Sequence, residues 1–196
     1  MEVKFRVSQP FNFGNVRYWV VFNTSGTGGT PYANGYLNNY QNYSFAFVVG
    51  GNGVTVPSPR LYEYVAQTNG APAVAVELFY TPQQVIFTPN SNGQNTEFTI
   101  LFARSIFAGI TSPSPSPSPS ASPGFSTTWY YNFFTTDNNN NPLDALGIGG
   151  PQDTSYQGGP LNIASVFDTT FNVPAGAVQA SQPTAQITGG EIINNP

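Results

Sequence analysis

Short apolar runs separated by Asn-Gly pairs dominate the first half of the chain, and three such pairs fall between residues 43 and 107. The pairs are Asn52-Gly53, Asn69-Gly70 and Asn92-Gly93. Asn-Gly supplies the positive φ that both central positions of a type I′ turn require, so between apolar runs it is a strong hairpin signal. We therefore predict an antiparallel meander over these residues.

The second pair predicts which side chains share a face of its hairpin. If Asn69-Gly70 is a two-residue turn, the alternation of side chains along a strand sorts the hairpin into two sets. One set is expected to belong to the core, and the other to expose two tyrosines. The core set is Leu61, Val65, Val74 and Leu78, and the opposite set is Tyr62, Tyr64, Ala75 and Glu77.

Other runs predict further strands. Residues 3–7 alternate between apolar and basic, which is typical of an edge strand whose outward Lys4 and Arg6 discourage pairing with another sheet edge. Residues 17–22 are apolar on both faces and predict a strand that is buried on both sides and central in its sheet. Residues 127–134 form a second aromatic run. Shorter strand candidates follow at residues 161–167, 171–173 and 185–188.

The number and spacing of these elements indicate the fold class. No stretch of ten residues keeps the apolar period and the caps of a helix. About ten short strands cannot lie in one flat sheet. We predict an all-β protein, a two-sheet antiparallel β-sandwich of the jelly-roll type.

A proline-rich segment interrupts the strands. Residues 111–123 contain five Ser-Pro dipeptides, and each proline removes a backbone donor and favours extended geometry, so we expect polyproline II structure. Such a segment is often a linker or an O-glycosylated stalk. We favour a single domain over 1–196 with a Ser-Pro loop at 111–124 inside it. The reason is that residues 125–196 hold no Lys or Arg and few long strands, and would struggle to offset their own chain entropy.

Composition indicates an unusual surface. Only 7% of residues are charged but 15% are aromatic, so the chain is not of the disordered kind, and its polarity comes from Asn, Ser, Thr and Gln. A wet but nearly uncharged surface is typical of secreted, surface-displayed or assembling proteins, and we expect an extracellular or cell-surface location. Residues 1–3 lead directly into a strand pattern without the opening of a signal peptide. Either export does not use that route or a leader has been removed.

Charge and hydropathy argue against two kinds of partner. Five scattered basic residues in a chain of net charge −4 cannot neutralise a run of phosphates, so we expect no nucleic-acid partner. No apolar run approaches the ~18 residues of a membrane-spanning helix, so we expect no membrane-spanning segment.

The residue types needed for catalysis are sparse. His and Cys are absent, which removes Ser-His-Asp and Cys-His mechanisms as well as imidazole and thiolate metal sites. Glu63, Glu77 and Glu97 could supply the two carboxylates of a glycosidase, but each stands alone on its own predicted strand. We therefore predict that the protein is not an enzyme.

One polar run is a candidate metal site. Residues 137–144 combine carboxylate and amide side chains on a loop, and these are ligands that Ca²⁺ takes. The run lacks the Gly and the Glu that an EF-hand has at its sixth and twelfth positions. The alternatives are a structural calcium site and a polar turn without metal. The candidate calcium ligands are Asp137, Asn139, Asn141 and Asp144.

A long loop at residues 23–41 is rich in Gly, Asn and Tyr, the composition of adaptable recognition loops. We predict that its tyrosines form a contact surface together with two tyrosines of the second hairpin. The residues of this surface are Tyr32, Tyr36, Tyr40, Tyr62 and Tyr64. The alternative is that these rings cover only their own domain.

Arg104 lies in an otherwise apolar row of the longest predicted strand, residues 97–107, where it would be costly to bury without a partner. Glu63 has the same problem beside Leu61 and Val65. We predict that Arg104 and Glu63 form an ion pair at the margin of the core.

Residues 18–23, with the Gly-rich loop after them, and residues 186–193 carry a resemblance to a known group of proteins. In these stretches the chain resembles exported bacterial β-sandwich proteins of unknown function, of the lipid-anchored or surface-displayed kind, and the resemblance implies no site residues. We predict a structural surface or assembly protein, such as an appendage, cell-surface or capsid-like subunit, that packs against copies of itself. The alternative is a carbohydrate-binding module with surface glycans as partners.

Overall fold

The computed structural model describes residues 1–26, 30–33, 40–65, 73–107, 126–153 and 156–195 of the chain. Within them, a five-stranded and a seven-stranded antiparallel sheet pack together around a shared core, and two short strands form a separate hairpin. This architecture confirms the predicted all-β sandwich. The jelly-roll pattern of connections stays a prediction.

The described strands are numbered β1 to β14 along the chain. They are β1 (Glu2–Val7), β2 (Arg17–Asn23), β3 (Tyr32–Ala33), β4 (Tyr40–Gln41), β5 (Phe45–Gly50), β6 (Pro59–Val65), β7 (Val74–Leu78), β8 (Val85–Thr88), β9 (Glu97–Phe102), β10 (Thr128–Thr136), β11 (Pro142–Ala145), β12 (Leu161–Asn162), β13 (Phe167–Asn172) and β14 (Ile187–Asn194). The smaller sheet has the order β13-β14-β1-β9-β8. The larger sheet has the order β11-β10-β2-β5-β6-β7, with β12 paired to β10.

Helical structure is limited in the part of the chain that the structure describes. It consists of short 3₁₀ turns at Arg104–Phe107, Gly150–Gln152 and Pro183–Ala185. None of these described segments has the length and apolar character of a membrane-crossing helix.

Phe5 of β1 ties the two sheets together. Its fully buried ring stacks on Phe98 of β9 at 5.1 Å and on Phe133 of the larger sheet at 5.2 Å, measured between ring centroids. Tyr18 of β2 meets the same ring edge-on at 5.7 Å. Gly190 lies opposite Phe5 in β14, and a Cβ there would stand 2.8 Å from the ring of Phe133. A residue without a side chain is therefore needed at this point of β14.

The prediction that β1 is an edge strand is wrong, because β1 lies between β14 and β9. The predicted alternation is present, with Lys4 and Arg6 on the outer face. Their charges do not keep other strands away, because each neighbour supplies an acid: Lys4 Nζ lies 2.5 Å from Glu191, and Arg6 Nε lies 2.6 Å from Glu97. Basic residues discourage a neighbouring strand only when that strand offers no matching charge.

The predicted meander is divided between the sheets. Strands β5, β6 and β7 are consecutive neighbours in the larger sheet, and Asn52-Gly53 between β5 and β6 takes positive φ angles of 57° and 73°. The hairpin of β8 and β9 belongs to the smaller sheet. The chain therefore crosses between the sheets at residues 79–84, where Pro82 cannot donate a ladder hydrogen bond.

The hairpin of β6 and β7 has the predicted register. Leu61 lies opposite Leu78, and Tyr64 lies opposite Ala75. This is the pairing that a two-residue turn at Asn69-Gly70 produces, although the turn itself lies outside the described residues. The backbone alternation of the two strands is therefore set as expected.

The burial of that hairpin differs from the prediction at both faces. Val65 and Val74, predicted to lie in the core, are 45% and 44% exposed, because the core reaches only the Leu61 end of this face. Tyr64, predicted to be exposed, is buried because its ring packs edge-on against Tyr43 at 5.0 Å. A second apolar cluster therefore covers part of the opposite face.

Both sheets combine strands from before and after the Ser-Pro segment. Strand β10 pairs with the whole of β2 in the larger sheet, and β14 pairs with β1 in the smaller sheet. The predicted central position of residues 17–22 is confirmed, since β2 lies between β10 and β5. The Ser-Pro residues, 111–123, lie outside the described part of the chain.

The predicted ion pair of Arg104 and Glu63 is wrong. Strand β9 ends at Phe102, so Arg104 leaves the apolar row and begins a 3₁₀ turn, where its guanidinium donates to the carbonyl of Ile163. The carboxylate of Glu63 is not within ion-pair distance of Arg104 in the described structure. Glu63 is half-buried, and burial raises the pKa of its carboxyl.

Polar contacts join the larger sheet to the segment that leads into β14. The hydroxyl of Tyr18 donates to the carbonyl of Thr184 at 2.9 Å. Asp144 of β11, which is 2% exposed, accepts the amide of Ile187 at 2.7 Å. Burial raises the pKa of the Asp144 carboxyl to about 6 in spite of this hydrogen bond.

We predict that replacing Asp144 by Asn removes one component of the pH dependence of stability. Between pH 3.8 and about 6, the folded protein holds a proton on Asp144 that the unfolded chain releases. The free energy of unfolding therefore falls as pH rises through this window, by up to about 3 kcal/mol from this group. Urea denaturation of both proteins at several pH values should show that the free energy of unfolding of Asp144→Asn rises relative to that of the wild type from pH 4 to 6. A constant difference would contradict the buried carboxyl.

Candidate functional site

A recess of about 140 Å³ opens on the outer face of the larger sheet, the face turned away from the smaller sheet. We call it the outer recess. Strands β2, β5 and β6 contribute most of its lining, and the turn between β10 and β11 adds Asn140. The side chains that line it include Arg17, Trp19, Val48, Arg60, Tyr62 and Tyr64.

The outer recess forms because a strand with short side chains lies between two strands with long ones. Val48 of β5 pairs with Trp19 of β2 on one side and with Arg60 of β6 on the other. In the next row of side chains on the outer face, Ala46 of β5 lies beside Tyr62 of β6. Neighbouring strands are about 4.8 Å apart, so the short side chains of β5 leave a hollow between the indole and the guanidinium.

The aromatic wall of the recess is held by packing on the outer face. Trp19 stacks on Phe134 at 5.4 Å, and its Nε1 donates to the hydroxyl of Thr136 at 3.0 Å. Trp19 and Tyr64 both belong to the second apolar cluster and are buried. An indole fixed by both stacking and a hydrogen bond presents one defined orientation to the recess.

Two guanidinium groups line the recess. Arg60 is half-buried, donates to the carbonyl of Gly50 at 3.2 Å and places its Cζ 5.9 Å from the centroid of the Tyr62 ring. Arg17 donates to the side-chain carbonyls of Asn140 and Asn52, the second at 2.9 Å. Amide oxygens orient a guanidinium without neutralising it. The recess therefore carries positive charge in a protein whose net charge is −4.

The hydroxyl of Tyr62 responds to both guanidinium groups. Burial raises its pKa, while the charge of Arg60 and the weaker effect of Arg17 act to lower it, and Glu77 on the neighbouring strand acts to raise it. Tyr62 thus lies where the fields of the two arginines overlap. A hydrogen-bond acceptor of a ligand placed near this ring would experience the same electrostatic fields.

The predicted tyrosine surface is only partly within the described structure. Tyr62 and Tyr64 both line the outer recess. Tyr32 and Tyr40 belong to the β3–β4 hairpin, but their side chains lie outside the described part, as does the whole of Tyr36. The structure therefore brings together two of the predicted residues, one half-buried and one buried.

Thr30 and Pro31 of the long loop lie against β10 and the segment before β12. The side-chain amide of Asn132 donates to the carbonyl of Pro31 at 2.7 Å, and the amide of Gly158 donates to the hydroxyl of Thr30 at 3.1 Å. Asn132 is buried. This part of the loop therefore covers the outer face beside the recess.

The predicted calcium loop makes hydrogen bonds to protein groups. Asp137 accepts the amides of Asn139 at 2.7 Å and Asn141 at 2.9 Å, and its other oxygen accepts the side-chain amide of Asn141 at 2.8 Å. Partial burial acts to raise the pKa of Asp137, but these hydrogen bonds outweigh it and lower the pKa below its usual value. The buried Asp144 instead bonds Ile187.

Metal-ligating groups are not clustered in the described residues: no three Asp or Glu side chains come together there as a metal site would require. Calcium binding at Asp137, Asn139, Asn141 and Asp144 stays a prediction. What the structure does assign to this turn is a contact with the recess, since Asn140 bonds Arg17.

The candidate glycosidase carboxylates lie apart in the sheets. Glu97 belongs to the smaller sheet and pairs with Arg6. Glu63 and Glu77 occupy neighbouring strands of the larger sheet, but Glu77 pairs with Tyr62 in the ladder, so Glu63 and Glu77 point to opposite faces.

Sequence reasoning missed Arg17, Trp19 and Arg60 as members of one site. Trp19 lies in a run that is apolar on both faces, so alternation does not identify it as outward. The site depends on the register that aligns Trp19 and Arg60 across Val48, and that register is a property of three strands. One usable signal was present: Arg17 and Trp19 are two residues apart and therefore share a face.

Comparison with known proteins does not identify a function for the outer recess. No family model matches this chain, and neither the search of curated proteins nor the search of solved structures found a match. The geometry and the charges of the recess are therefore the basis for a function.

We predict that Asp137→Ala lowers the free energy of unfolding by about 1 kcal/mol, because the exposed turn loses charge-assisted hydrogen bonds. Asn139→Ala is the matched control, since Asn139 contributes its backbone amide to Asp137. Thermal unfolding of the three proteins with calcium and with a chelator is the measurement. Equal stability of Asp137→Ala and the wild type would contradict a stabilising role for the hydrogen bonds of Asp137 in this turn. A calcium-dependent gain in the wild type that Asp137→Ala loses would establish the predicted metal site.

Proposed function

We propose that this chain is a non-enzymatic surface protein that binds a glycan through the outer recess. The observation that carries the proposal is the combination of a fixed indole, a tyrosine ring and two guanidinium groups around one hollow. Aromatic faces accept the apolar face of a sugar ring, and guanidinium groups donate to its oxygens. An apolar partner would leave these donors desolvated, which costs free energy.

The size of the recess supports recognition of a single ring. Its volume is about 140 Å³, close to the roughly 150 Å³ of a cavity that holds benzene and well below the roughly 300 Å³ at which drug-sized sites begin. The recess would therefore hold one sugar residue of a longer glycan. Affinity for one residue is expected to be modest, and display of many copies on a surface would raise the avidity.

The surface composition supports the same proposal. The chain has few charges and many Asn, Ser, Thr and Gln residues, and we propose an extracellular or cell-surface location on that basis. Amide and hydroxyl groups around a recess can make further hydrogen bonds to sugar hydroxyls without the desolvation cost of full charges.

We predict that Tyr62→Ala weakens glycan binding about tenfold or more, since the variant removes the half-buried ring and the platform for Arg60. Tyr130→Ala is the matched control, because Tyr130 is also a half-buried tyrosine of the larger sheet but pairs with Asn23 away from the recess. Affinity electrophoresis through gels containing different polysaccharides would measure binding. Retardation of the wild type by none of them, or equal losses in both variants, would refute the proposal.

A second candidate function is self-assembly, in which copies of this chain associate through β7. Strand β7 ends the larger sheet among the described strands, and the exposed residues near it are Val65, Val74 and, at 83% exposure, Phe79. Such an edge is a template for another strand. Antiparallel pairing of two copies about Val76 would set Glu77 opposite Ala75, so like charges would not meet.

We predict that Val74→Lys shifts the protein toward the monomer if β7 mediates assembly, because two copies of the introduced charge would enter the paired edge. Val178→Lys is the control, since Val178 is also exposed, at 53%, and lies in a separate segment. Light scattering after size-exclusion chromatography over a range of concentrations gives the oligomeric state. A wild type that stays monomeric at all concentrations excludes this second function.

A further inference from the structure

Arg60, on β6 of the larger sheet, differs in its partners from the basic residues of the smaller sheet. Lys4 and Arg6 each lie within hydrogen-bond distance of a carboxylate. Within the described residues, no Asp or Glu oxygen lies within 4.0 Å of the Arg60 guanidinium. A guanidinium carries five N–H donors, and the described hydrogen bond of Arg60 goes to the Gly50 carbonyl. Donors therefore remain for a ligand.

The position of Arg60 suits one end of a bound ring. Trp19, Val48 and Arg60 form one row across three strands, so the backbones of Trp19 and Arg60 are about 10 Å apart, two strand spacings. A ring lying over Val48 would have the indole on one side and the guanidinium on the other. A substituent pointing toward β6 would meet Arg60 over Tyr62.

The charges around the recess favour an anionic substituent. Arg17 adds a second positive charge, held by the amide oxygens of Asn52 and Asn140. The packed elements also carry Glu77, which pairs with Tyr62 in the ladder, and Asp137, which interacts electrostatically with Arg17. Neither forms an ion pair with Arg60. A half-buried guanidinium without a carboxylate gains most from an anion that enters with a ligand.

We propose that the outer recess selects sugar residues that bear a carboxylate, and that Arg60 receives the carboxylate through its planar fork. This inference rests on the proposed glycan-binding function and names its ligand class. The two oxygens of a carboxylate match two parallel N–H donors of a guanidinium, which a neutral hydroxymethyl group does not. The Tyr62 ring lies beside the guanidinium, with Cζ 5.9 Å from the ring centroid.

The test compares one polymer in two chemical states. Polygalacturonate and its fully methyl-esterified form share the same ring and linkage, but the ester has lost the charge. We expect the full chain to bind the acid at least about tenfold more tightly than the ester in 0.15 M salt. Arg60→Gln should remove most of this preference. Arg60→Lys keeps the charge without the fork and should recover only part of it.

Matched controls separate recognition from general attraction. Arg6→Gln makes the same charge change on the smaller sheet and should leave the preference intact. Polysialic acid offers a carboxylated ring from a second source and should also bind through Arg60. Dextran sulfate reports attraction to negative charge alone. If it binds as tightly as the polyuronate, and Arg6→Gln weakens both as much as Arg60→Gln does, the inference is overturned.

The remaining outcomes separate the inference from the function beneath it. Equal binding of acid and ester that still requires Tyr62 would retain the glycan-binding function and refute selection for carboxylate. Binding of neither polymer, and of no polysialic acid, would refute the inference. If neutral polysaccharides also fail, the proposed function falls with it.

Discussion

Burial of aromatic rings between the two sheets is the interaction on which the rest of this structure depends. With only 7% of its residues charged, the chain gains little from ion pairing, and its ion pairs among the described residues lie on the outer face of the smaller sheet. Each fully buried aromatic side chain contributes about 2 to 3 kcal/mol, against about 1 to 2 kcal/mol for each residue whose backbone is ordered. The stack around Phe5 joins β1 to its neighbour β9 and to β10 of the larger sheet.

The same need for burial explains where the outer recess lies. Strands β2, β5 and β10 have apolar side chains on both faces, so the larger sheet needs cover on its outer side as well. Near β10 this cover includes the hydroxyl of Thr30 and the backbone carbonyl of Pro31. Toward β6 the cover consists of side chains such as Trp19 and Tyr64, and the short side chains of β5 leave a gap among them. The outer recess thus lies at the boundary between the covered part and the exposed part of the outer face of the larger sheet.

Local patterns predicted much of the fold because they follow from the chain itself. Alternation identified the strand at the start of the chain, a two-sided apolar run identified β2 as central, and turn chemistry at Asn69-Gly70 predicted the register of the hairpin of β6 and β7. At the other end, the candidate strand at 185–188 covers only the beginning of β14. The edge position assigned to β1 failed because an outward lysine or arginine indicates a free edge only when its neighbours carry no acids. Those acids, Glu97 and Glu191, come from distant parts of the sequence.

The site was harder to predict than the fold because it depends on how strands align. Tyr62 and Tyr64 were found by their spacing on one strand, whereas Trp19 and Arg60 meet only through the ladder of β5. The Ser-Pro segment and Tyr36 lie outside the described residues. The Asn-rich run after β10 has the composition of a calcium loop or a polar turn, and composition does not reveal that Asn140 reaches Arg17.

The pairing of β1 with β14 has a consequence for how the protein comes to be folded. The first strand of the smaller sheet joins the last, with register contacts such as Glu2 to Ile193, so loop closure over nearly the whole chain precedes the sheet's completion. Contacts this distant in sequence make folding slow. During synthesis, Val3 and Phe5 emerge long before β14 exists to cover one side of their strand. A nascent chain of this protein must therefore carry an unfinished, apolar strand until β14 has been synthesised, and chaperones that hold such strands would act during that interval.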